Sequence, residues 1–323
     1  MQCAAELATQ NIKVTLLEKE SDTGGKVRGW HKLFPTFTPA NEVLSGLRHK
    51  IALTQNITIK TGCEATTITP HEVTLSTGES IACDAVVVAT GYTLFDARIK
   101  EEYGYGIYDN VITSADLEEM FNKDDVRMKD GSTPRRIAIL HCVGSRDEKV
   151  CQRHCSKVCC VTGVKQAIEL KQMYPAADVF NFYMDIRMFG PGYEEMYREA
   201  QQKYNVHFVR GRISEVSPNI DNRLQIKAED TLTGRPLRMT VDMLILLVGM
   251  SANRDNEALA QSASLSLAPN GFFQTRDSFL GAVESEREGI FYVGAATAPK
   301  SLADSLAEAS LTASAVAAYI NKR

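Results

Sequence analysis

The stretch HCVGSRDEKVCQRHCSKVCC, residues 141–160, decides how this chain reads. Five of its eight cysteines fall within the nineteen positions 142–160. The apolar run Ile137–Leu140 leads in after Arg136 and reads as a buried strand, and Val158–Met173 follows with helical spacing. A cysteine-rich loop therefore joins a strand to a helix. In a nucleotide-binding βαβ unit that place belongs to glycines, which let backbone approach a pyrophosphate. Here it holds thiols. One bulky group held by four thiolates is the natural occupant, and the spacing Cys142-x12-Cys155-x3-Cys159-Cys160 supplies four ligands.

Other occupants compete. Disulfides are not expected, because no secretory signal is read and thiols stay reduced in the cytosol. Structural zinc also takes four thiolates, but usually as separated CxxC pairs. Adjacent Cys159 and Cys160 suit such a knuckle poorly, yet they suit a cubane, where each thiolate takes its own iron corner. The plainest alternative is a set of buried cysteines at a helix start. Cys151 is left over, as a bystander or a substitute ligand.

The rest of the composition is that of an ordinary globular protein. With 323 residues the chain predicts two domains, or one domain inserted in another, and 44% hydrophobic residues can fill their cores. A net charge of −4 favours neither nucleic acid nor an anionic membrane. The apolar run Met243–Met250 fits a buried strand and is too short for a membrane span. A cytoplasmic protein without direct membrane insertion is expected.

Around the cysteine loop the pattern alternates between strands and helices. Met1–Gln10 reads as a helix against a sheet and Lys13–Leu17 as a buried strand ending at Glu18. Together they look like the second half of a dinucleotide-binding unit whose first strand and GxGxxG turn are expected before residue 1. Glu18 is then placed for a ribose 2′-OH, or is an ordinary surface acid. In GGKVRGWHKLFP, residues 24–35, Gly25 gives backbone freedom, while Lys26, Arg28 and His31 can face a pyrophosphate or a ring. A solvated turn before a helix over 39–53 is the alternative. The buried run 84–89 ends in Thr90-Gly91, where glycine lets the chain pass close to a cofactor. A helix is expected over 114–122, its Ser114 and Glu118 out of capping-box register, and a flexible boundary over 123–134. Short strands are expected at 270–273 and 290–293, and an Ala-rich helix over 301–320.

Several of these stretches together resemble the A-subunit family of heterodisulfide reductases. They are GGKVRGWHKLFP, the ATG at 89–91, YGYG at 103–106, HCVGSRD with CSKVCC, FYMDIRMFGPGYEEMY at 182–197 and GIFYVGAATAPKSLADSLAEAS at 289–310. The resemblance implies an α/β fold similar to thioredoxin reductase, an FAD domain with an inserted second Rossmann-like domain carrying the iron–sulfur loop. The expected boundaries are 1–130, 131–248 and 249–323. It implies FAD and a [4Fe–4S] cluster, with ligands on Cys142, Cys155, Cys159 and Cys160. FAD is then expected on Glu18, Gly25, Lys26, Arg28, His31, Thr90, Gly91, Gly294, Ala295 and Lys300. Ferredoxin-type CxxCxxC segments of the long members are absent. The chain thus looks like the compact form found in the bacterial sulfur-oxidising heterodisulfide-reductase-like complex, or in the quinone-interacting oxidoreductase complex. Where related reductases carry a GD motif beside the flavin, Gly294-Ala295 stands, so backbone or Lys300 is expected to meet the ring. Partner subunits of such a complex, and a homodimer, are expected.

Three functions follow. The first is an electron-transfer flavoprotein, with FAD handling electron pairs and the cluster single electrons. The second is a thiol-disulfide oxidoreductase using Cys159 and Cys160, although no CxxC helix start supports it. The third is a scaffold protein with decayed cofactor sites.

Overall fold

The computed structural model describes residues 1–322 and divides into two compact units. Of the described residues, unit 1 holds 1–28, 41–93 and those from 251 onward; unit 2 holds 29–40 and 94–250.

In unit 1 the helix Gln2–Thr9 leads into the strand Val14–Glu18, which pairs in parallel with Ile57–Thr61. A second parallel pair joins Val86–Val88 to Ile290–Tyr292, with Val88 opposite Tyr292. The C-terminal helix Leu302–Ile320 lays Ala309, Ala313, Val316 and Ala317 against Cys3, Leu7 and Phe291. Its small residues let it approach the first helix closely. Ser301 and Asp304 cap its start reciprocally. An antiparallel sheet of Ala65–Ile68, Glu72–Leu75 and Ser80–Ala82 completes the unit, covered by a helix Asn256–Ala263 that periodicity does not announce. The strand expected at 270–273 is a turn instead. Gly271 takes φ +81° and donates to Ala268 O, and one bridge, Leu267 with Phe273, is all that pairs.

Unit 2 is built on five parallel strands in the order Val111–Thr113, Met243–Val248, Arg136–Val143, Asp178–Tyr183, His207–Arg210. The central two are buried along almost their whole length, as the apolar runs require. The helices Cys159–Met173 and Tyr193–Gln202 carry the chain along the sheet from 136 to 210; the strand 243–248 then returns to the other side of 136–143. That reversal makes the C-terminal ends of 136–143 and 243–248 a topological switch point. A three-stranded antiparallel sheet, Ile213–Pro218, Leu224–Asp230 and Arg235–Val241, packs below through Ile213, Leu224 and Ile226.

The division differs from boundaries near 130 and 248. Strand Val111–Thr113 pairs with Leu244–Leu246, and the helix Ser114–Asn122 buries Leu117 and Phe121 in the second unit's core, so the first cut falls at 93/94. That helix is capped by Thr113 with Asp116, one residue earlier than Ser114 and Glu118 suggest. Residues 29–40 join the same unit through Phe34, edge-on to Tyr193 at 5.7 Å, and His31, stacked on Phe121 at 5.7 Å.

Candidate functional site

The strand 136–143 does not stop at Leu140. It runs on through an irregularity between Leu140 and Val143, where Cys142 adopts φ +60°. Cys159 and Cys160 are the first two residues of the helix 159–173. Strand end and helix start therefore meet, and Cys142 Sγ lies 3.9 Å from Cys159 Sγ. Cys160 Sγ is 3.5 Å from the main-chain O of Asp185, and Cys155 Sγ accepts from Lys157 N at 3.3 Å. Cys142, Cys159 and Cys160 are buried, and Cys155 is half-buried. Cys151 is exposed, on a tight hairpin closed by the Asp147–Gln152 bridge.

The loop holds unusual backbone. Cys142, Gly144, Arg146, Cys151 and Lys157 all have φ between +53° and +69°. For the four that are not glycine this costs free energy, of order 1 kcal/mol or more each, and persists only where surrounding contacts over-determine it. Those contacts are present. Ser145 Oγ and Ser156 Oγ are 2.5 Å apart, and Ser156 Oγ accepts from Met250 N at 2.7 Å. Gly249 N donates to Val143 O at 2.8 Å, and Gly249 has no room for a side chain: a Cβ there would stand 2.2 Å from Ser145 Oγ. Asp147, buried, is held by Lys100 at 2.8 Å and Arg212 at 3.3 Å.

The thiols share a proton unevenly. Hydrogen bonding from Cys159 brings Cys142 down to about 7 and Cys160 down to about 4. The His141 ring beside Cys160 lowers the latter further. Cys159 is pushed well up as the shared donor between two incipient thiolates. His141 Nε2 is fixed 2.8 Å from Asn181 Oδ1, and the ring also lies within hydrogen-bonding reach of Cys160. Arg146 lies near Cys142 and Cys155 and is anchored to Asp185 at 2.7 Å. Arg153 points outward, 81% exposed, toward Glu148. Among the described residues no three His, Cys, Asp or Glu side chains converge as ligands of a single metal ion.

In unit 1 the structure brings several expected flavin residues together. Parallel pairing of 86–88 with 290–292 sets Thr90-Gly91 and Gly294-Ala295 just beyond two adjacent strand ends. Lys26 stands 5.5 Å over the Tyr92 ring, next to Gly91. Gly25 and Gly91 have positive φ and open space where a side chain would go, so backbone is presented bare at both. Thr90 is fixed by Asn256 Oδ1 at 3.2 Å and, through its carbonyl, by Asn253 at 2.8 Å. Glu18 ends its own strand pair, its carboxylate accepting from Glu20 N at 3.1 Å. Arg28 turns back to Gly25 O at 3.3 Å. Lys300 is committed internally, donating to Gly294 O at 3.1 Å and Thr297 Oγ1 at 2.7 Å and pairing with Glu308. The helix after Gly294-Ala295 begins only at Leu302.

His31 belongs to unit 2, within a buried charge cluster that no motif announces. Its Nδ1 lies 2.8 Å from Glu169 Oε1, and its N–H donates to Glu118 Oε2 at 2.9 Å. Lys165 joins Glu118 at 2.6 Å and Glu169 at 3.1 Å, and donates to Lys32 O at 3.0 Å. The spacing of Lys165 and Glu169, one helical turn, is the only trace of this cluster in the sequence.

Comparison with known proteins agrees with the fold and with the motif resemblance. The chain is 41% identical over 254 residues to the iron-sulfur A subunit of the CoB–CoM heterodisulfide reductase of Methanocaldococcus jannaschii, covering 76% of this chain and 38% of that protein. It is 36% identical over 253 residues to the A subunit of the ferredoxin:CoB-CoM heterodisulfide reductase of Methanosarcina mazei, covering 76% and 31%. The chain thus spans well under half the length of these relatives. Thioredoxin reductases of T. acidophilum and Lactococcus lactis share the fold at 14% identity, with TM-scores of 0.66 and 0.68. The first match covers 99% of this chain and 94% of that one; the second covers 100% and 95%. Residues 1–315 match the family model of pyridine nucleotide-disulphide oxidoreductases, and the chain belongs to that family.

Proposed function

We propose that this chain is a flavin and iron–sulfur electron-transfer subunit of a heterodisulfide-reductase-like complex, passing electrons between FAD and a [4Fe–4S] cluster to partner subunits in sulfur or energy metabolism. One observation carries the reading. Three buried thiols meet at the switch point of the second sheet, where a dinucleotide pyrophosphate would otherwise sit. The donor set fits such a cluster: Cys142, Cys159 and Cys160 with Cys155 at the rim, held on a backbone whose strain the Ser145–Ser156 clamp and the Lys100–Asp147 pair offset. When bound, FAD exchanges electron pairs and an iron–sulfur cluster single electrons. The chain's own part is to present thiols from the strand end and the helix start, and to set positive charge beside them. Arg146 supplies one cation, and the start of the helix 159–173 supplies partial charge. In unit 1, Gly25 and Gly91 offer bare backbone, Gly294 and Ala295 follow the neighbouring strand end, and Glu18, Lys26, Arg28 and Thr90 offer polar groups for the flavin nucleotide. His31 and Lys300 are already engaged by Glu169 and Glu308, and their place there is indirect. Partner subunits, a homodimer and a cytoplasmic setting belong to the same proposal; the relatives are themselves named as subunits.

Iron analysis and low-temperature paramagnetic resonance of single Cys→Ser variants test it. Changes at 142, 155, 159 and 160 should each lower iron content, whereas Cys151→Ser should keep about four irons per chain, the number set by the cluster type. Retention in Cys142→Ser with loss in Cys151→Ser refutes the ligand set. The 3.9 Å approach of Cys142 to Cys159 favours a second reading, a dithiol that oxidises to a disulfide. It pairs 142 with 159 rather than the two neighbours in the helix. An iron-free wild type with two titratable thiols that disappear on oxidation selects it.

A further inference from the structure

A cleft of about 700 Å³ lies within unit 2, at the edge of the five-stranded sheet opposite the thiols. Arg136 begins the strand 136–143, its register partner Asp178 begins the strand 178–183, and Asp242 precedes the strand 243–248. Arg135 and Arg223 line the same cleft, with Met128, Ser132 and Thr133. The volume is that of a small-molecule site. Three arginines and two aspartates give the lining a net charge of +1, on a chain whose net charge is −4.

The two aspartates leave most of the guanidinium donors unused. Buried Asp242 is spent: Oδ2 accepts from Arg135 N at 2.7 Å and Arg136 N at 2.8 Å, and Oδ1 from Arg223 Nε at 2.7 Å. Asp178 is half exposed and stands 3.6 Å from Arg136 Nη2. Each guanidinium has five donors. Arg223 gives only Nε to Asp242. The exposed Arg135 side chain has no partner among the described residues. Arg136 Nε is buried without a hydrogen bond, and an acceptor in the cleft would remove the cost of that unpaired donor. The walls are also held in place. Buried Asn110 donates to Asn222 O at 3.4 Å and accepts from Lys129 N at 3.1 Å, which ties the turn before Arg223 to the loop carrying Met128 and Thr133. Asp130 fixes Ser132 through its N–H at 2.9 Å and its hydroxyl at 2.6 Å.

We propose that this cleft binds a small phosphate-bearing molecule, its terminal phosphate held by Arg135, Arg136 and Arg223. Guanidinium forks pair bidentately with phosphate, and Thr133 adds a hydroxyl donor. A phosphate monoester presents three terminal oxygens, so three forks match it better than they match a carboxylate, which presents two. The volume exceeds that of one phosphate and leaves space for an organic body against Met128. Binding is non-covalent and involves neither the cysteine loop nor the flavin residues of unit 1, so the proposal stands apart from the electron-transfer reading. A nucleic-acid backbone is disfavoured by the overall negative charge.

The test titrates the full chain calorimetrically with inorganic phosphate, AMP and succinate, in excess FAD so that unit 1 does not take up the nucleotide. Phosphate and AMP should bind saturably and succinate more weakly. Arg135→Ala removes an exposed side chain without a partner in the fold, so the unliganded melting midpoint should hold while both affinities fall by about tenfold or more. A second measurement needs no variant. AMP should slow phenylglyoxal modification of Arg135 and Arg223 in the wild type, read by peptide mass spectrometry, and leave exposed Arg153, outside the cleft, at its own rate. Tighter binding of AMP than of phosphate supports an organic phosphate as the ligand; equal binding supports free phosphate. Absence of saturable binding by either overturns the proposal, as does wild-type affinity in Arg135→Ala or unprotected Arg135. Succinate binding as tightly as AMP marks a generic anion surface and overturns it too.

Discussion

Replacing Gly249 by alanine should open the cysteine loop without unfolding the chain. An added Cβ would stand 2.2 Å from Ser145 Oγ, 2.7 Å from Gly144 O and 3.0 Å from Ser156 Oγ. Ordinary contact begins near 3.4 Å. The serine hydroxyl has to swing by more than an ångström, which breaks the Ser145–Ser156 bond and strains the one from Met250 N to Ser156. A lost buried hydrogen bond costs about 1 kcal/mol, and overpacking a tight site about 1–3 kcal/mol. The sum, roughly 3 kcal/mol, is below the stability of a typical domain but corresponds to about a hundredfold more frequent local opening. The assay is iodoacetamide alkylation of the reduced, iron-free full chain, read site by site by peptide mass spectrometry. Cys142, Cys159 and Cys160 should react about a hundredfold faster than in wild type. Cys3, buried in unit 1, reports global unfolding and should keep its rate. Rates at the three loop thiols within threefold of wild type would refute the clamp, and an equal rise at Cys3 would show that the substitution unfolds more than the loop.

Three further outcomes are expected. Burial raises the Asp147 carboxyl, but the Lys100 ammonium, the Lys149 N–H and Arg212 outweigh it and hold it below the usual carboxylate range. Its stabilisation is therefore complete above that range and lost as pH falls through the depressed value, so Asp147→Asn should flatten the acid limb of a urea stability profile while lowering the plateau. Lys165→Met leaves Glu118 and Glu169 buried without their cation and should cost about 3–5 kcal/mol by chemical denaturation at neutral pH; a loss under 1 kcal/mol would mean the two acids are protonated in the native state. Gly46 lies exposed within the helix Ala40–Ala52 with open space beside it, so Gly46→Ala should raise stability by about 0.5–1 kcal/mol in the same assay.

Much of the fold was legible because burial writes a period into sequence. The runs 137–140 and 243–248 are apolar throughout since both faces of their sheet are covered, and the helix 302–320 shows its face because one side packs on Gln2–Thr9. The cysteine loop was legible for a different reason: thiols are rare, and five close together stand out. What escaped is what depends on distant partners. Strand Val111–Thr113 is three residues long and exists through its pairing with Leu244–Leu246, so the unit boundary near 130 could not be placed without it. Lys165 reads as a surface lysine on a helix, and only the fold brings Glu118 to it from 47 positions away.

The same distinction applies inside the cysteine loop. Spacing names candidate ligands, but it does not say which thiols face inward; burial separates exposed Cys151 from Cys142, Cys159 and Cys160. Nor does spacing show that adjacent Cys159 and Cys160 end in different surroundings. Helical geometry turns successive side chains about 100° apart. Cys159 is thereby carried toward Cys142, and Cys160 toward Asp185 and His141. Cys159 thus stands between the other two thiols, sharing hydrogen bonds with Cys142 and Cys160, while Cys160 also meets the Asp185 carbonyl and the His141 ring. The positive φ at Cys142 and at Lys157 turns the chain at the strand end and just before the helix start, the two places from which Cys142 and Cys159 approach each other.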